Sequence, residues 1–200
     1  MEYTFLSAFS LLFLIVEPVG NIPAFVAILK KLPRGRVAPV VLRECAIGFV
    51  ILTAFAFFGK GFMAMLGLSQ VALTLGGALI LLIIAIRMLF PGREGLYGEA
   101  PDGEPFVFPI AVPMLAGPSA LATVMILLAS MPEGVAPLLG AIGLTMALSA
   151  LVAIFALEIS RLAGPKITAA FERLMGLILL VIAVQMALTG TTAYIRSLAP

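Results

Sequence analysis

The chain has 200 residues, of which 62% are hydrophobic and 11% charged, and its formal net charge is +2. Its mean hydropathy is +1.22, whereas charged residues make up about a quarter of an ordinary soluble domain. This composition excludes a soluble globular protein and indicates a single integral-membrane domain over residues 1–200. Histidine is absent and Cys45 is the only cysteine. We therefore expect no metal site, no cofactor and no intrachain disulfide.

Apolar stretches of about 20 residues, the length that crosses a bilayer as a helix, fit six times along the chain. Their predicted bounds are Tyr3–Leu29, Val41–Leu66, Val71–Phe90, Phe106–Met131, Val135–Leu162 and Phe171–Leu188. We expect a basic loop from Lys30 to Pro39 and a polar surface loop from Pro91 to Pro105. The predicted fold class is all-α, a polytopic membrane protein with six transmembrane helices.

Two of these segments are interrupted by proline and glycine. The first contains Glu17-Pro18-Val19-Gly20-Asn21-Ile22-Pro23, and the fourth contains Pro113-Met114-Leu115-Ala116-Gly117-Pro118. Proline lacks an N–H and obstructs the preceding turn, so Pro18, Pro23, Pro113 and Pro118 predict helix breaks. Non-helical backbone at bilayer depth is tolerated only where protein or a water-filled cavity surrounds it. We interpret both breaks as lining a transport site, with a buried kink that binds nothing as the alternative.

The two halves of the chain repeat. Pro18 and Pro23 recur 95 residues later as Pro113 and Pro118, and Leu79–Met88 resembles Leu177–Met186 at an offset of 98. The predicted repeats cover about residues 1–95 and 106–200, with three spans each. A unit with an odd number of spans must insert its copy upside down, which predicts an inverted repeat like those of secondary transporters.

Basic residues predict the orientation in the membrane. Ten of them lie in or beside the loops after segments 1, 3 and 5, namely Lys30, Lys31, Arg34, Arg36, Arg43, Arg87, Arg93, Arg161, Lys166 and Arg173. The opposite side holds only Lys60 and Arg196. The excess of basic residues in cytoplasmic loops predicts that both termini lie outside the cytoplasm.

The residues at the breaks suit a substrate that carries a carboxylate. A proline at a helix start leaves neighbouring N–H groups free, and these groups attract anions. Glycines let a ligand approach the backbone, although close helix packing would also explain them. Asn21 offers a donor and an acceptor beside the first break. Ser119 and Thr123 offer hydroxyl groups beside the second, and hydrogen bonds between helices are the alternative role of these two residues. The predicted substrate-binding residues are Glu17, Gly20, Asn21, Pro23, Gly117, Pro118, Ser119 and Thr123.

Glu17 is the acid expected in the middle of a membrane span, and such an acid is a functional candidate by default. Burial would favour its protonated form, which makes it a candidate carrier of a coupling proton. A sodium ion or a substrate ammonium group is the alternative partner. The pairs Arg43-Glu44 and Glu158-Arg161 are expected at the membrane interface, and Arg87 near a helix end.

The broken segments resemble the two motifs of the MarC family of bacterial and archaeal inner-membrane proteins. Residues 17–25 are similar to its Asp-Pro-x-Gly-Asn-x-Pro-x-Phe motif, and residues 113–123 to its Pro-x3-Gly-Pro-Gly-x-Ile-Ala-Thr motif. Glu17, Ser119 and Leu121 stand where the family usually has aspartate, glycine and isoleucine. The resemblance implies a multi-pass inner-membrane transporter of small neutral amino acids such as glycine and alanine.

Three other functions remain open at this point. A drug or hydrophobic-solute efflux pump would favour a large aromatic cavity, yet tryptophan is absent. An intramembrane enzyme would have to combine Glu17 with Ser119 or Thr123, and no hydrolase motif is present, so we expect no enzyme activity. A structural or regulatory membrane subunit would assemble with partners without moving solute. Nothing in the sequence indicates nucleic-acid binding, and the oligomeric state is left open.

Overall fold

The computed structural model describes residues 4–30, 32–90, 104–131, 134–163 and 165–198, and these residues form helices and no β-strand. In chain order the helices are α1 (Phe5–Val16), α2 (Ile22–Leu29), α3 (Arg34–Met65), α4 (Gln70–Leu89), a π-helix (Ile110–Leu115), α5 (Pro118–Ser130), α6 (Val135–Ala163) and α7 (Pro165–Leu198). The predicted all-α class is confirmed.

Four helices in the described ranges are long and apolar enough to cross a membrane. These spans are Arg34–Met65, Val71–Leu89, Val135–Glu158 and Gly176–Arg196, and they overlap the predicted segments 2, 3, 5 and 6. Segments 1 and 4 are each divided into shorter helices, so neither contains one unbroken helix of that length. The chain is thus a multi-pass helical membrane protein, and the count of six spans stays a prediction.

The predicted loop from Lys30 to Pro39 is wrong for its second half, because α3 already begins at Arg34 and includes Pro39. A proline at this position leaves the carbonyl of Gly35 without its helical partner. Gly35 and Pro39 are both exposed, so water or lipid headgroups can bond to that carbonyl. The helix therefore tolerates a residue that usually marks a boundary.

The predicted bounds of the last segment are too narrow, because α7 runs from Pro165 to Leu198 instead of from Phe171 to Leu188. Its candidate span, Gly176–Arg196, begins and ends later than predicted, and the polar residues before this span continue as helix. Most of the predicted surface loop, residues 91–103, lies outside the described residues.

Glycines allow the long helices to approach closely. A Cβ on Gly190 of α7 would lie 2.8 Å from Cδ2 of Leu75 of α4, and one on Gly176 would lie 3.1 Å from Cβ of Met88. A Cβ on Gly48 of α3 would lie 3.3 Å from the sulfur of Met146 of α6. The helix pairs α4 with α7 and α3 with α6 therefore meet at positions without side chains.

Three of the contacts between the two halves have a counterpart, whereas those of α1 with α5 and of α4 with the π-helix have none of similar extent. α3 packs on α5 as α2 packs on α6, and the π-helix packs on α3 as α1 packs on α6. α4 packs on α5 as α2 packs on α7. The apolar core joins these helices in one cluster. α5, which begins at the second break, thus contacts α1, α3 and α4.

Candidate functional site

The first break is a compact turn between α1 and α2. Glu17 ends α1 in the left-handed region, with φ 49° and ψ 53°, which residues other than glycine rarely adopt. The side-chain amide of Asn21 donates to the carbonyl of Val16 at 2.9 Å, and the Asn21 N–H donates to the carbonyl of Glu17 at 3.0 Å. Asn21 therefore uses its donors to close the turn, and its side-chain oxygen accepts no hydrogen bond from the described residues.

The carboxylate of Glu17 lies beside the bare backbone of Gly20. Both residues are exposed, and a Cβ built on Gly20 would lie 3.7 Å from Oε2 of Glu17 and 3.5 Å from its carbonyl oxygen. These are ordinary van der Waals distances, so the turn itself does not require glycine. The expected burial of Glu17 is absent in the single chain, where the carboxylate and the adjoining backbone lie open.

α2 begins at Ile22, directly after the turn, with Pro23 as its second residue. The N–H of Phe25 donates to the carbonyl of Asn21 at 2.9 Å, the first helical hydrogen bond. The first break is thus followed at once by a new helix start, as the position of Pro23 predicts. Pro18 is buried within the turn.

The second break has a different backbone from the first. Its leading residues form a π-helix that contains Pro113 and is non-helical at Val112. The N–H of Ala116 donates to the carbonyl of Ala111 at 2.8 Å, five residues back. Gly117 then adopts an extended conformation, and Pro118 is the first residue of α5. The peptide bonds before Pro109 and Pro113 are cis.

Gly117 is required by the turn itself. A Cβ at this position would lie 2.7 Å from the carbonyl oxygen of Pro113, closer than real Cβ atoms approach an oxygen. This backbone contact gives Gly117 a packing role, which was one of the two interpretations of the glycines. Gly20 has no such contact, so it is the better position at which to probe ligand approach.

The hydroxyl groups after the second break are only partly available. Thr123 donates its hydroxyl to the carbonyl of Ser119 at 2.7 Å, so its proton is used within α5. Ser119 is exposed at the first turn of that helix. Of the two predicted hydroxyl residues, Ser119 is thus the one with an open side chain.

Two residues beside the second break were missed by the sequence analysis. Glu44, expected at the interface, is 0% exposed, and its Oε2 accepts from the N–H of Ala111 at 3.4 Å. Gly77 of α4 lies directly on Pro118, since a Cβ there would be 2.8 Å from Cδ of the proline ring. The available signal for Glu44 was an acid next to an arginine at the start of an apolar run. For Gly77 it was a Gly-Gly pair inside such a run.

The described residues contain no cluster of three or more histidine, cysteine, aspartate or glutamate side chains that could hold a metal ion. The site consists of an exposed turn that carries the carboxylate of Glu17 and a second break whose residues are apolar and mostly buried, and each break is followed by a helix start.

The fold and the two broken segments define a class: multi-pass, all-helical membrane proteins with two interrupted segments. The chain belongs to the MarC family, since the description "MarC family integral membrane protein" matches residues 3–195. A "UPF0056 membrane protein" of Buchnera aphidicola subsp. Schizaphis graminum is 41% identical over 191 residues, covering 94% of this chain and 95% of the relative. The "UPF0056 inner membrane protein YhgN" of Escherichia coli K12 is 37% identical over 192 residues, covering 96% and 98%. No solved structure matches the chain.

Proposed function

We propose that this protein is a secondary transporter of small neutral amino acids, which bind where the two broken segments meet. The observation that carries the proposal is the restart of a helix at each break, at Ile22-Pro23 and at Pro118. The N–H groups left free at a helix start, with the helix dipole, attract a carboxylate. At α2 the N–H of Ile22 is already bonded to the carbonyl of Val19 at 3.2 Å, so α5 offers more free N–H groups than α2. Discontinuous helices supply such groups in known secondary transporters.

The matched packing of the two halves supports an inverted repeat. In that arrangement α1 and α2 correspond to the π-helix and α5, α3 corresponds to α6, and α4 corresponds to α7. Each of the paired contacts then maps onto its partner. An inverted repeat brings the two helix starts toward the bilayer midplane from opposite faces, where they would enclose one substrate in alternating access.

The proposed roles follow from the chemistry of each side chain. The helix starts would hold the substrate carboxylate, and the carboxylate of Glu17 would face the ammonium group or carry the coupling proton. Gly20 leaves space beside Glu17, and the buried ring of Pro118 limits the space at the second break. A site with this geometry favours substrates with short side chains, such as glycine and alanine.

The open position of Glu17 supports its role in coupling. A carboxylate exposed at membrane depth is costly against hydrocarbon, so such groups face water-filled cavities. There the carboxyl can exchange a proton with water on one side and release it on the other. The proton is the proposed coupling ion, and sodium is the alternative. Neither mechanism requires a cofactor.

Glycine flux into liposomes tests the proposal. Purified protein should accumulate labelled glycine when a proton gradient is imposed, and unlabelled alanine should compete because its side chain is also small. Phenylalanine should compete poorly. Transport of cationic dyes without glycine transport would instead favour drug efflux. Absence of any flux in correctly inserted protein would favour a structural or regulatory subunit.

We further propose that both termini face outward in the inner membrane, the location named for the E. coli relative. Arg36 pairs with Glu104 at 2.7 Å, so the residues after segment 1 and those before segment 4 lie on one side, where the basic residues cluster. Reporter fusions after Lys31 and Gly95 should indicate the cytoplasm, and fusions at Pro132 the exterior. A cytoplasmic signal at Pro132 would contradict both this orientation and the six spans.

A further inference from the structure

Four charged side chains join the start of α3 to the residues that lead into the second break. We call Arg36, Arg43, Glu44 and Glu104 the charge cluster. Arg36 donates to Glu104 through Nε at 2.7 Å and Nη2 at 2.8 Å. Arg43 donates to Oε1 of Glu44 through Nε at 3.2 Å and Nη2 at 3.1 Å, and its Nη1 lies 3.9 Å from Oε2 of Glu104. The cluster thus alternates positive and negative groups between two distant parts of the chain.

Arg43 also holds the backbone of the leading segment. It donates to the carbonyl of Pro105, and its guanidinium lies over the ring of Phe106, 5.1 Å from the centroid. The hydrogen bonds from Arg36 hold the pKa of Glu104 below its usual value, so that carboxylate remains charged through the neutral range. These contacts fix residues 104–106 against α3.

Glu44 connects the cluster to the second break itself. Its carboxylate is fully buried, and a buried charge is costly unless its oxygens are paired. Arg43 bonds to Oε1, and the N–H of Ala111 points at Oε2 at 3.4 Å. The carbonyl of Ala111 in turn accepts from Ala116 at 2.8 Å, the residue before Gly117. Two hydrogen bonds therefore run from Glu44 to the turn at Gly117 and Pro118.

We propose that Glu44 is a positioning residue of the second break, which sets the π-helix so that the start of α5 faces the substrate. This inference rests on the proposed transport function. Glu44 does not touch substrate and acts through Ala111. Apolar packing holds the π-helix near α3 independently, because Leu115 lies 3.3 Å from where a Cβ on Gly48 would be. Loss of the carboxylate should thus alter the orientation of the break more than the stability of the fold.

The test compares Glu44→Gln with Glu44→Met, and Arg34→Gln is the control. Arg34 is an exposed charge in the first turn of the same helix, outside the cluster. Glutamine keeps an oxygen for the N–H of Ala111, whereas methionine keeps only the size of the side chain. Initial rates of glycine transport against glycine concentration separate KM from the maximal rate, and thermal unfolding in detergent reports stability.

Glu44→Met should raise KM for glycine by about tenfold, the effect of leaving one buried hydrogen bond unmade. Glu44→Gln should restore most of the affinity, and Arg34→Gln should resemble the parent. If Glu44→Met keeps the parental KM, the proposal is wrong. The proposal is also wrong if Glu44→Gln and Glu44→Met both lose affinity for glycine and both lose thermal stability. That pattern indicates that Glu44 serves only the packing of the core.

Cys45 provides a readout that does not depend on transport. It is the only cysteine, it is 6% exposed, and it follows Glu44 on the buried face of α3. If the π-helix is reoriented, the packing around Cys45 should loosen, so maleimide should modify Glu44→Met at least several times faster than Glu44→Gln, which removes the same charge beside the thiol but keeps an oxygen for the N–H of Ala111. Equal rates would overturn the positioning role. If Glu44→Met is modified faster but the parent protein transports no amino acid, the positioning role of Glu44 stands and the proposed transport function is wrong.

Discussion

Gly77→Ala should disrupt glycine transport and lower thermal stability, whereas Gly76→Ala should be tolerated. The added Cβ of Gly77→Ala would overlap the ring of Pro118, with Cδ at 2.8 Å. Forcing a methyl group into a packed contact costs about 1–3 kcal/mol. Relief of this overlap must move α4 or the start of α5. A displacement of about 1 Å at a reacting site lowers enzyme rates by up to about a hundredfold, and we expect a comparable loss of flux.

The control at Gly76 is closely matched. It is the preceding residue of the same helix, and a Cβ there would meet nothing within 4 Å. Alanine is favoured over glycine inside a helix by up to about 1 kcal/mol, so this variant should unfold at the same temperature as the parent or above it. Thermal unfolding in detergent and glycine flux in liposomes measure both effects. If the two variants have the same unfolding temperature and the same glycine flux, the contact of Gly77 with Pro118 contributes to neither stability nor transport.

Glu17→Gln should abolish gradient-driven accumulation of glycine while leaving the protein folded. The substitution keeps the size of the side chain and removes its ability to bind and release a proton. If the carboxyl carries the coupling proton, exchange of internal for external glycine can continue, because exchange needs no net proton movement. Accumulation under a proton gradient should fall at least about tenfold, the change that a loss of about 1.4 kcal/mol in coupling gives.

Two further substitutions separate charge from backbone effects. Glu17→Asp restores the aspartate usual in the MarC motif and should keep accumulation. Glu17→Gly removes the carboxylate and relieves the left-handed backbone at φ 49°, which costs other residues roughly 1–2 kcal/mol. This variant should lose accumulation without losing thermal stability. Parental accumulation by Glu17→Gln would reject proton coupling through Glu17, and a parent driven by sodium alone would make Glu17 a candidate sodium ligand.

The breaks themselves were predictable from the sequence because their cause is local. Proline removes its own N–H and obstructs the turn before it wherever the chain goes afterwards. For this reason α1 ends at Val16, directly before the first motif, and α5 begins at Pro118, the last residue of the second break. The form of each break was not predictable. The first is a tight turn closed by Asn21, whereas the second is a π-helix, and neither pattern follows from the positions of the prolines.

The residues of the candidate site differ in whether their contacts are with near neighbours in the chain or with distant residues. Glu17 and Gly20 are adjacent because only two residues of turn separate them, and a local motif is enough to place them together. The packing role of Gly117 also depends on a near neighbour, the carbonyl of Pro113. The contact of Gly77 with Pro118 joins residues far apart in the chain, so no local pattern reveals it.

The sequence by itself determined that this protein lies in the membrane, that its spans are helical and that two further apolar segments are interrupted. These properties depend on hydropathy and on backbone chemistry within a few residues. Only the tertiary structure decided which acid is buried. Glu44 is enclosed because the N–H of Ala111, 67 residues away, and the guanidinium of Arg43 meet at its carboxylate, while Glu17 is left open. Burial is set by groups that only the folded chain brings together, and the sequence could not rank the two acids.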